Sequence, residues 1–302
     1  MATPVFYDPR MNVTGLDSFS PSAGKPARFV ELIQHYSHRD YNDALLGQVT
    51  PVTRDDLLLA HDKAYVDGVF DGTILNGFEC RDSRVPESCL WTIGSLLAAS
   101  RYALEHPAQP ACSPTSGFHH AGYAFGGGFC TFNGLMVVAA KLITEAPDSR
   151  FKVAVLDCDF HYGDGTADIL DRHGALGSHV THLTSGKYFH GDDPQSEALE
   201  FDLWLFEAIA EINAFKPDLV LYQAGADPHV NDPLGGFLTD DELRQRDQTV
   251  FDGILAPIAY CHAGGYQPAK SIFSDPVLDI HRATLNAADF SVATRIKKGL
   301  KP

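Results

Sequence analysis

The densest chemistry in the chain lies in Asp157-Cys-Asp159-Phe-His161-Tyr-Gly-Asp164-Gly-Thr166, where three carboxylates and an imidazole fall within eight residues. The segment follows the apolar run Lys152-Val-Ala-Val-Leu156 and ends at a helix start; it is far too acidic for an ordinary strand exit. Alternation in an extended segment turns Asp157, Asp159 and His161 to one side, so Asp159 and His161 can converge on one ion. A second apolar run, Asp218-Leu-Val-Leu-Tyr222, leads through Gln223-Ala-Gly-Ala to Asp227. A third and weaker one, Pro257-Ile-Ala-Tyr260, leads to Cys261-His-Ala-Gly264-Gly265-Tyr266, where two glycines allow a tight turn that presents a phenol. Each piece alone reads as helix capping or turn chemistry. Together, two carboxylates and one imidazole on neighbouring strand ends make a three-ligand site with room for water, the pattern of a catalytic metal. Oxygen-rich ligation also suits iron or manganese, so spacing alone leaves the metal open.

Upstream lies Gly117-Phe-His119-His120-Ala-Gly122, followed by Gly126-Gly-Gly128-Phe129-Cys130, too rich in glycine for a helix interior. Adjacent histidines in a loop are not two ligands on one helix face. In isolation they read equally well as a polar surface pair. Beside a metal cluster they read as a general acid/base pair that takes and returns a proton during hydrolysis.

Positioning these groups requires strands that end at one edge. The three apolar runs read as buried parallel strands, and amphipathic helices alternate with them. Pro26 opens a helix with Phe29, Leu32, Ile33 and Tyr36 on one face, and another follows Pro86 through Ile93, Leu96, Leu97 and Leu104. Asn133 is placed to cap a helix carrying Leu135, Val138, Ala139 and Leu142, and Thr239 with Glu242 forms a capping box. This alternation predicts an α/β fold with an open, mostly parallel central sheet flanked by helices on both faces, and ligands bound beyond the carboxyl ends of its strands. No repeat or long linker divides the 302 residues, so a single domain over 1–302 is expected.

Lysine and arginine total 23 against 39 acidic residues, and a net charge of −16 repels a phosphate backbone, so no nucleic-acid partner is expected. Six cysteines without a CxxC pair fit reduced thiols. No apolar run is long enough to span a membrane, and the first residues lack a basic then apolar leader pattern, so a cytoplasmic, membrane-free protein is expected. The sequence leaves the oligomeric state unassigned.

In order along the chain, the His-His pair, the Gly-Gly-Gly-Phe-Cys segment with Asn133, the Asp-x-Asp-x-His block with Gly-Asp-Gly-Thr, Gly-Ala-Asp ahead of Asp232-Pro-Leu-Gly-Gly236, and Gly-Gly-Tyr resemble the zinc-dependent histone deacetylase and acetylpolyamine amidohydrolase family. The resemblance covers most of the chain and implies a three-layer arginase/deacetylase-like fold. Tyr7-Asp-Pro-Arg-Met-Asn-Val-Thr, Ser22-Ala-Gly-Lys25 and Gly-Gly-Tyr-Gln267 are similar to the class IV branch in particular. By position, the resemblance makes Asp159, His161 and Asp227 the ligands of one Zn2+ per chain, with potassium behind Asp157. His119 and His120 become the proton-transfer pair, oriented by Asp157 and Asp164, and Tyr266 the donor to the oxyanion. Phe129 and Phe189 become walls around an acyl-lysine stem, with Gly128 offering its carbonyl to the amide N–H. The implied reaction is amide hydrolysis by metal-activated water on an acyl-lysine protein or peptide, or on an acylated amine.

Some positions depart from the family pattern. Tyr162 stands where many members carry a second histidine, Pro228 follows Asp227, and His190 stands where many carry proline after the tunnel aromatic. Three rival readings remain: a two-manganese ureohydrolase, in which the His-His pair and Gly-Gly-Tyr have no evident role; a thiol hydrolase using Cys130 or Cys158; and an acyl-lysine binder without turnover. Class IV similarity also brings in long-chain acyl groups, and acetylated polyamines stay open as substrates.

Overall fold

Short runs rich in valine, leucine and isoleucine with no charged residue inside them suit strands covered on both faces, and such strands form the centre of the molecule. The structure, a computed structural model, describes residues 2–16, 18, 20–36 and 46–302. Seven strands among the described residues form one sheet: β1 (Val5–Phe6), β2 (Leu46–Gly47), β3 (Ala111–Ser113), β4 (Val153–Asp157), β5 (Val180–Thr184), β6 (Leu219–Gly225) and β7 (Ile258–Ala263). Their order is β2-β1-β3-β7-β6-β4-β5 and every pairing is parallel. The mostly parallel sheet expected from sequence is thus wholly parallel among these strands.

Successive strand residues point to opposite faces. Ala154, Leu156, Val220, Tyr222, Ile258 and Tyr260 meet one helical layer. It is built from α1 (Lys25–Tyr36) together with the helices at Pro194–Phe215, Asp240–Gly253 and Pro276–Lys297. Val153, Val155, Leu219, Leu221, Ala259 and Cys261 meet the other layer. That layer contains α2 (Lys63–Phe70), α3 (Arg84–Glu105), α4 (Gly134–Glu145) and α5 (Asp164–Arg172). Each aliphatic side chain so removed from water contributes on the order of 1.5–3 kcal/mol. In the other layer, α6 (Pro194–Phe215), α7 (Asp240–Gly253) and α8 (Pro276–Lys297) follow α1 in chain order. No helix among the described residues is long and apolar enough to cross a membrane, and all six cysteines are unpaired.

Three local expectations are corrected. The strands start one residue later than the apolar runs, at Val153, Leu219 and Ile258, and β6 and β7 continue to Gly225 and Ala263. Helix α3 begins at Arg84, placing Pro86 inside the first turn, where its missing N–H leaves no bond unmade. Tyr36 ends α1 and is 47% exposed, so it does not share the buried face of Phe29, Leu32 and Ile33.

Register brings the strand ends together. Asp157 pairs with Gln223 across β4 and β6, Gln223 pairs with Cys261 across β6 and β7, and Gly225 pairs with Ala263. The segments leaving β4, β6 and β7 therefore emerge side by side at the carboxyl edge of the sheet.

Candidate active site

At that edge the ligand atoms of Asp159, His161 and Asp227 all lie within 4.8 Å of one another. His161 Nδ1 is 2.9 Å from Asp227 Oδ2 and 3.3 Å from Asp159 Oδ1. Backbone amides hold the carboxylates in place: Phe160 N donates to Asp227 Oδ1 at 3.2 Å, and His161 N donates to Asp159 Oδ1 at 3.0 Å. Burial, and then the neighbouring Asp159 carboxylate, pushes Asp227 up to about 7. Despite its own burial, Asp159 is held below the ordinary carboxylate range by the His119 and His161 imidazoles. Burial opposes charge on His161, but the two carboxylates outweigh it and raise the imidazole to about 10. Two buried carboxylates facing each other create a negative site that a divalent cation satisfies, and the oxygen and nitrogen donors suit zinc with a coordination position left open.

Beside this cluster stand both histidines of the pair, each with Nδ1 held by its own carboxylate. His119 Nδ1 lies 2.7 Å from Asp157 Oδ2, and His120 Nδ1 lies 2.7 Å from Asp164 Oδ1. The two rings are 4.1 Å apart, and His119 Nε2 is 3.6 Å from Asp159 Oδ1. His119 is deeply buried; burial disfavours its cation, yet Asp157 and Asp159 raise it to about 9. Asp157 is itself fixed by Asp159 N and by the Gln223 amide, each donating to Oδ1 at 3.2 Å. With Nδ1 engaged on both rings, Nε2 is the atom each imidazole can offer to a proton.

Tyr266 stands at the far end of the Gly264-Gly265 turn. Its N–H donates to Asp232 Oδ2 at 2.7 Å and its ring lies 5.7 Å from that of Phe129. Burial, with Asp227 and Asp159 nearby, raises the phenol well above its ordinary pKa, so it stays protonated and able to donate. Gly128 and Phe129 both adopt positive φ, +52° and +64°; a Cβ on Gly128 would stand 2.3 Å from the His120 ring. The loop thereby lays its backbone against His120 and turns Phe129 toward Tyr266.

Phe189 is not part of this assembly. It is 5% exposed and packs in the core against Phe201, Trp204 and Phe237 at 5.6, 6.2 and 5.4 Å. A tunnel wall needs an open face, and this ring has none. The aromatic that edges onto His161 is Phe160, at 5.3 Å.

Four supporting residues have no role in the sequence reading. Phe78 packs against Phe129 at 5.7 Å. Asp232 holds the Tyr266 amide, and Gln223 also accepts from Phe118 N at 3.0 Å through Oε1. Arg246, buried on α7, donates to the carbonyls of Gly225 at 2.7 Å and Cys158 at 3.2 Å, tying two strand exits together. Only Asp232 and Gln223 lie within segments the sequence marks as chemical; Phe78 and Arg246 carry no local signal.

The histone deacetylase domain profile matches residues 22–200 and 193–274. The chain belongs to the histone deacetylase family. Among curated relatives of this deacetylase-family chain, an uncharacterized protein of Picosynechococcus is 31% identical over 240 residues, covering 72% of this chain and 76% of that one. Acetylpolyamine amidohydrolase 1 of Pseudomonas aeruginosa is 26% identical over 277 residues, covering 70% and 78%. The crystal structure of acetylpolyamine aminohydrolase from Burkholderia pseudomallei superposes with a TM-score of 0.69 at 16% identity over the whole of both chains. The HDA15 HD domain superposes at 0.68 with 19% identity, covering 98% of this chain and 95% of that one. These likenesses show a deacetylase fold, and family membership supports a hydrolase of the deacetylase type.

Proposed function

We propose that this chain is a zinc-dependent amidohydrolase, one catalytic domain over 1–302, that removes an acyl group, acetyl first among them, from a lysine side chain or related amine. The observation that carries the reading is the gathering of Asp159, His161 and Asp227 within 4.8 Å beside two histidines each held by a carboxylate. Asp159, His161 and Asp227 would hold the metal. Zinc bound there supplies a polarised carbonyl and a water acidified toward a pKa of about 7.

The chain's own residues do the rest. His119 and His120 take a proton from the attacking water at Nε2 and return one to the departing amine; Asp157 and Asp164 fix their rings, and Asp157 favours the cation of His119. The Tyr266 hydroxyl donates to the developing oxyanion. Phe129 flanks the acyl-lysine stem, and the Gly128 carbonyl accepts the substrate amide N–H. Phe189, enclosed by the core, takes no part. A potassium ion behind Asp157 belongs to the same reading: the Ser185 hydroxyl donates to the Asp157 and Asp159 carbonyls there, at 3.4 and 2.9 Å, and these oxygens would hold it. Residence in the cytoplasm is supported by six unpaired thiols. Relatives named acetylpolyamine amidohydrolase support acylated amines alongside acyl-lysine as substrates.

Acetyl-lysine peptides, acetylpolyamines and myristoyl-lysine peptides assayed side by side test the reading. Amine release that stops on chelation, returns with zinc and is blocked by a hydroxamate is expected. A zinc-loaded protein that releases no amine from any of the three across pH would make the chain an acyl-lysine binder instead.

A further inference from the structure

One buried cation has no part in the chemistry above. Lys25 opens α1 and is 5% exposed. A helix N-terminus disfavours a cation, and so does burial, so this ammonium must be held by something outside its own helix. Its Nζ donates to the carbonyl oxygen of Gly264. Burial pushes its pKa down to about 8 against the pull of the Asp227, Asp159, Asp275 and Asp232 carboxylates.

The bonded carbonyl belongs to the turn that carries the phenol. Gly264 has a φ of +52°, and a Cβ there would stand 2.3 Å from the Asp227 carboxyl, so this residue lies directly against a metal-site side chain. Two residues later, Tyr266 N is held by Asp232. The turn is therefore pinned at both ends, by Lys25 at its entrance and Asp232 at its exit, with only glycine between them. Two glycines in succession have no conformational preference strong enough to hold a phenol in place unaided.

We propose that Lys25 is a positioning residue for Tyr266: by holding the Gly264 carbonyl it fixes the turn from which the phenol reaches the cleft. The inference rests on the deacylase reading for the work the phenol does, and on geometry alone for the role of the lysine.

A double-mutant cycle on the metal-loaded full chain tests it. Lys25→Met should lower kcat on the order of 100-fold, the cost of a misplaced catalytic group, with KM changed by less than about threefold. In the Tyr266→Phe background the same change should cost less than about threefold, because both substitutions remove one function. Lys25→Arg, which keeps a charged donor, should recover most of the loss. A full 100-fold further loss on top of Tyr266→Phe, or an unchanged kcat in Lys25→Met, would overturn the proposal. Where Lys25→Met does not fold, Lys25→Gln, whose side chain is one bond shorter and leaves its amide short of the Gly264 carbonyl, carries the same expectations. A second readout needs no turnover: 3-fluorotyrosine placed at position 266 alone should give one fluorine resonance that shifts or splits in the Lys25 variant. An unchanged resonance would overturn the role of Lys25, whereas a shifted resonance in a chain that hydrolyses no amide would overturn the deacylase reading and leave the lysine's role standing.

Discussion

Gly264 shows how little space is left around Asp227. A methyl group there would meet the Asp227 carboxyl at 2.3 Å, at a φ of +52° that L residues rarely adopt. Gly264→Ala should therefore displace Asp227, weakening metal binding at least tenfold and destabilising the fold by about 1–3 kcal/mol; metal titration and urea unfolding read the two effects separately. At this scale the sequence is most legible where chemistry needs rare residue types. Three carboxylates and an imidazole immediately after an apolar strand have few structural uses, so Asp159 and His161 could be read with their partner Asp227 from one line of text. Phe189 could not. Whether an aromatic ring faces a cleft or the core depends on what packs against it, and Phe201, Trp204 and Phe237 come from segments that no local pattern ties to residue 189. The same holds for Phe78, whose contact with Phe129 spans 51 positions along the chain.

At the scale of elements, Asn133 is the joint between the histidine loop and the helical layer. Its Oδ1 accepts from Met136 N at 3.1 Å to cap α4, while Nδ2 donates to Ala121 O and Thr166 Oγ1, each at 3.0 Å. One side chain thus ties α4 to the loop of His119 and His120 and to the first turn of α5. Asn133→Ala should cost about 2–4 kcal/mol, a lost cap plus buried acceptor and donor left unpaired, read as a fall in the denaturation midpoint. Its capping role was legible, as was the Thr239–Glu242 box, because cap residues announce themselves before an amphipathic run. Helices α6 and α8 carry Asp-Pro starts at Asp193 and Asp275 but low amphipathic contrast, and periodicity passes over them. Strands β1, β2 and β3 span only two or three residues, too short for any periodic signal, and are strands only because the sheet beside them is complete.

At the scale of the whole molecule, three buried neutral histidines among the described residues set the acid limit. His61 donates through Nδ1 to Gly122 O at 2.9 Å and accepts from Asn133 N at Nε2 at 2.8 Å, a pairing that only the neutral ring can make. Burial lowers it to about 4, and burial likewise holds His262 and His281, stacked 4.1 Å apart, well below the ordinary value. A lowered histidine is neutral in both states above about 6.5; below that the unfolded chain takes up the proton first, so stability falls as pH drops toward the folded value. Three protons from these rings, less the one that a raised Asp227 takes up first in the folded chain, give a slope of about 3 kcal/mol per pH unit below pH 6.5. Urea midpoints taken between pH 7 and 4.5 check this, and a flat profile would show that these rings are protonated in the folded state. At the shared carboxyl edge of β4, β6 and β7 in the wholly parallel sheet, Asp159, His161 and Asp227 meet, and one metal per chain is proposed there. Calorimetric titration of zinc into the chelator-treated protein tests that claim most directly. One zinc per chain is expected, falling to none in a folded Asp227→Asn variant; no binding in the unaltered chain, or binding that survives the loss of Asp227, would contradict it.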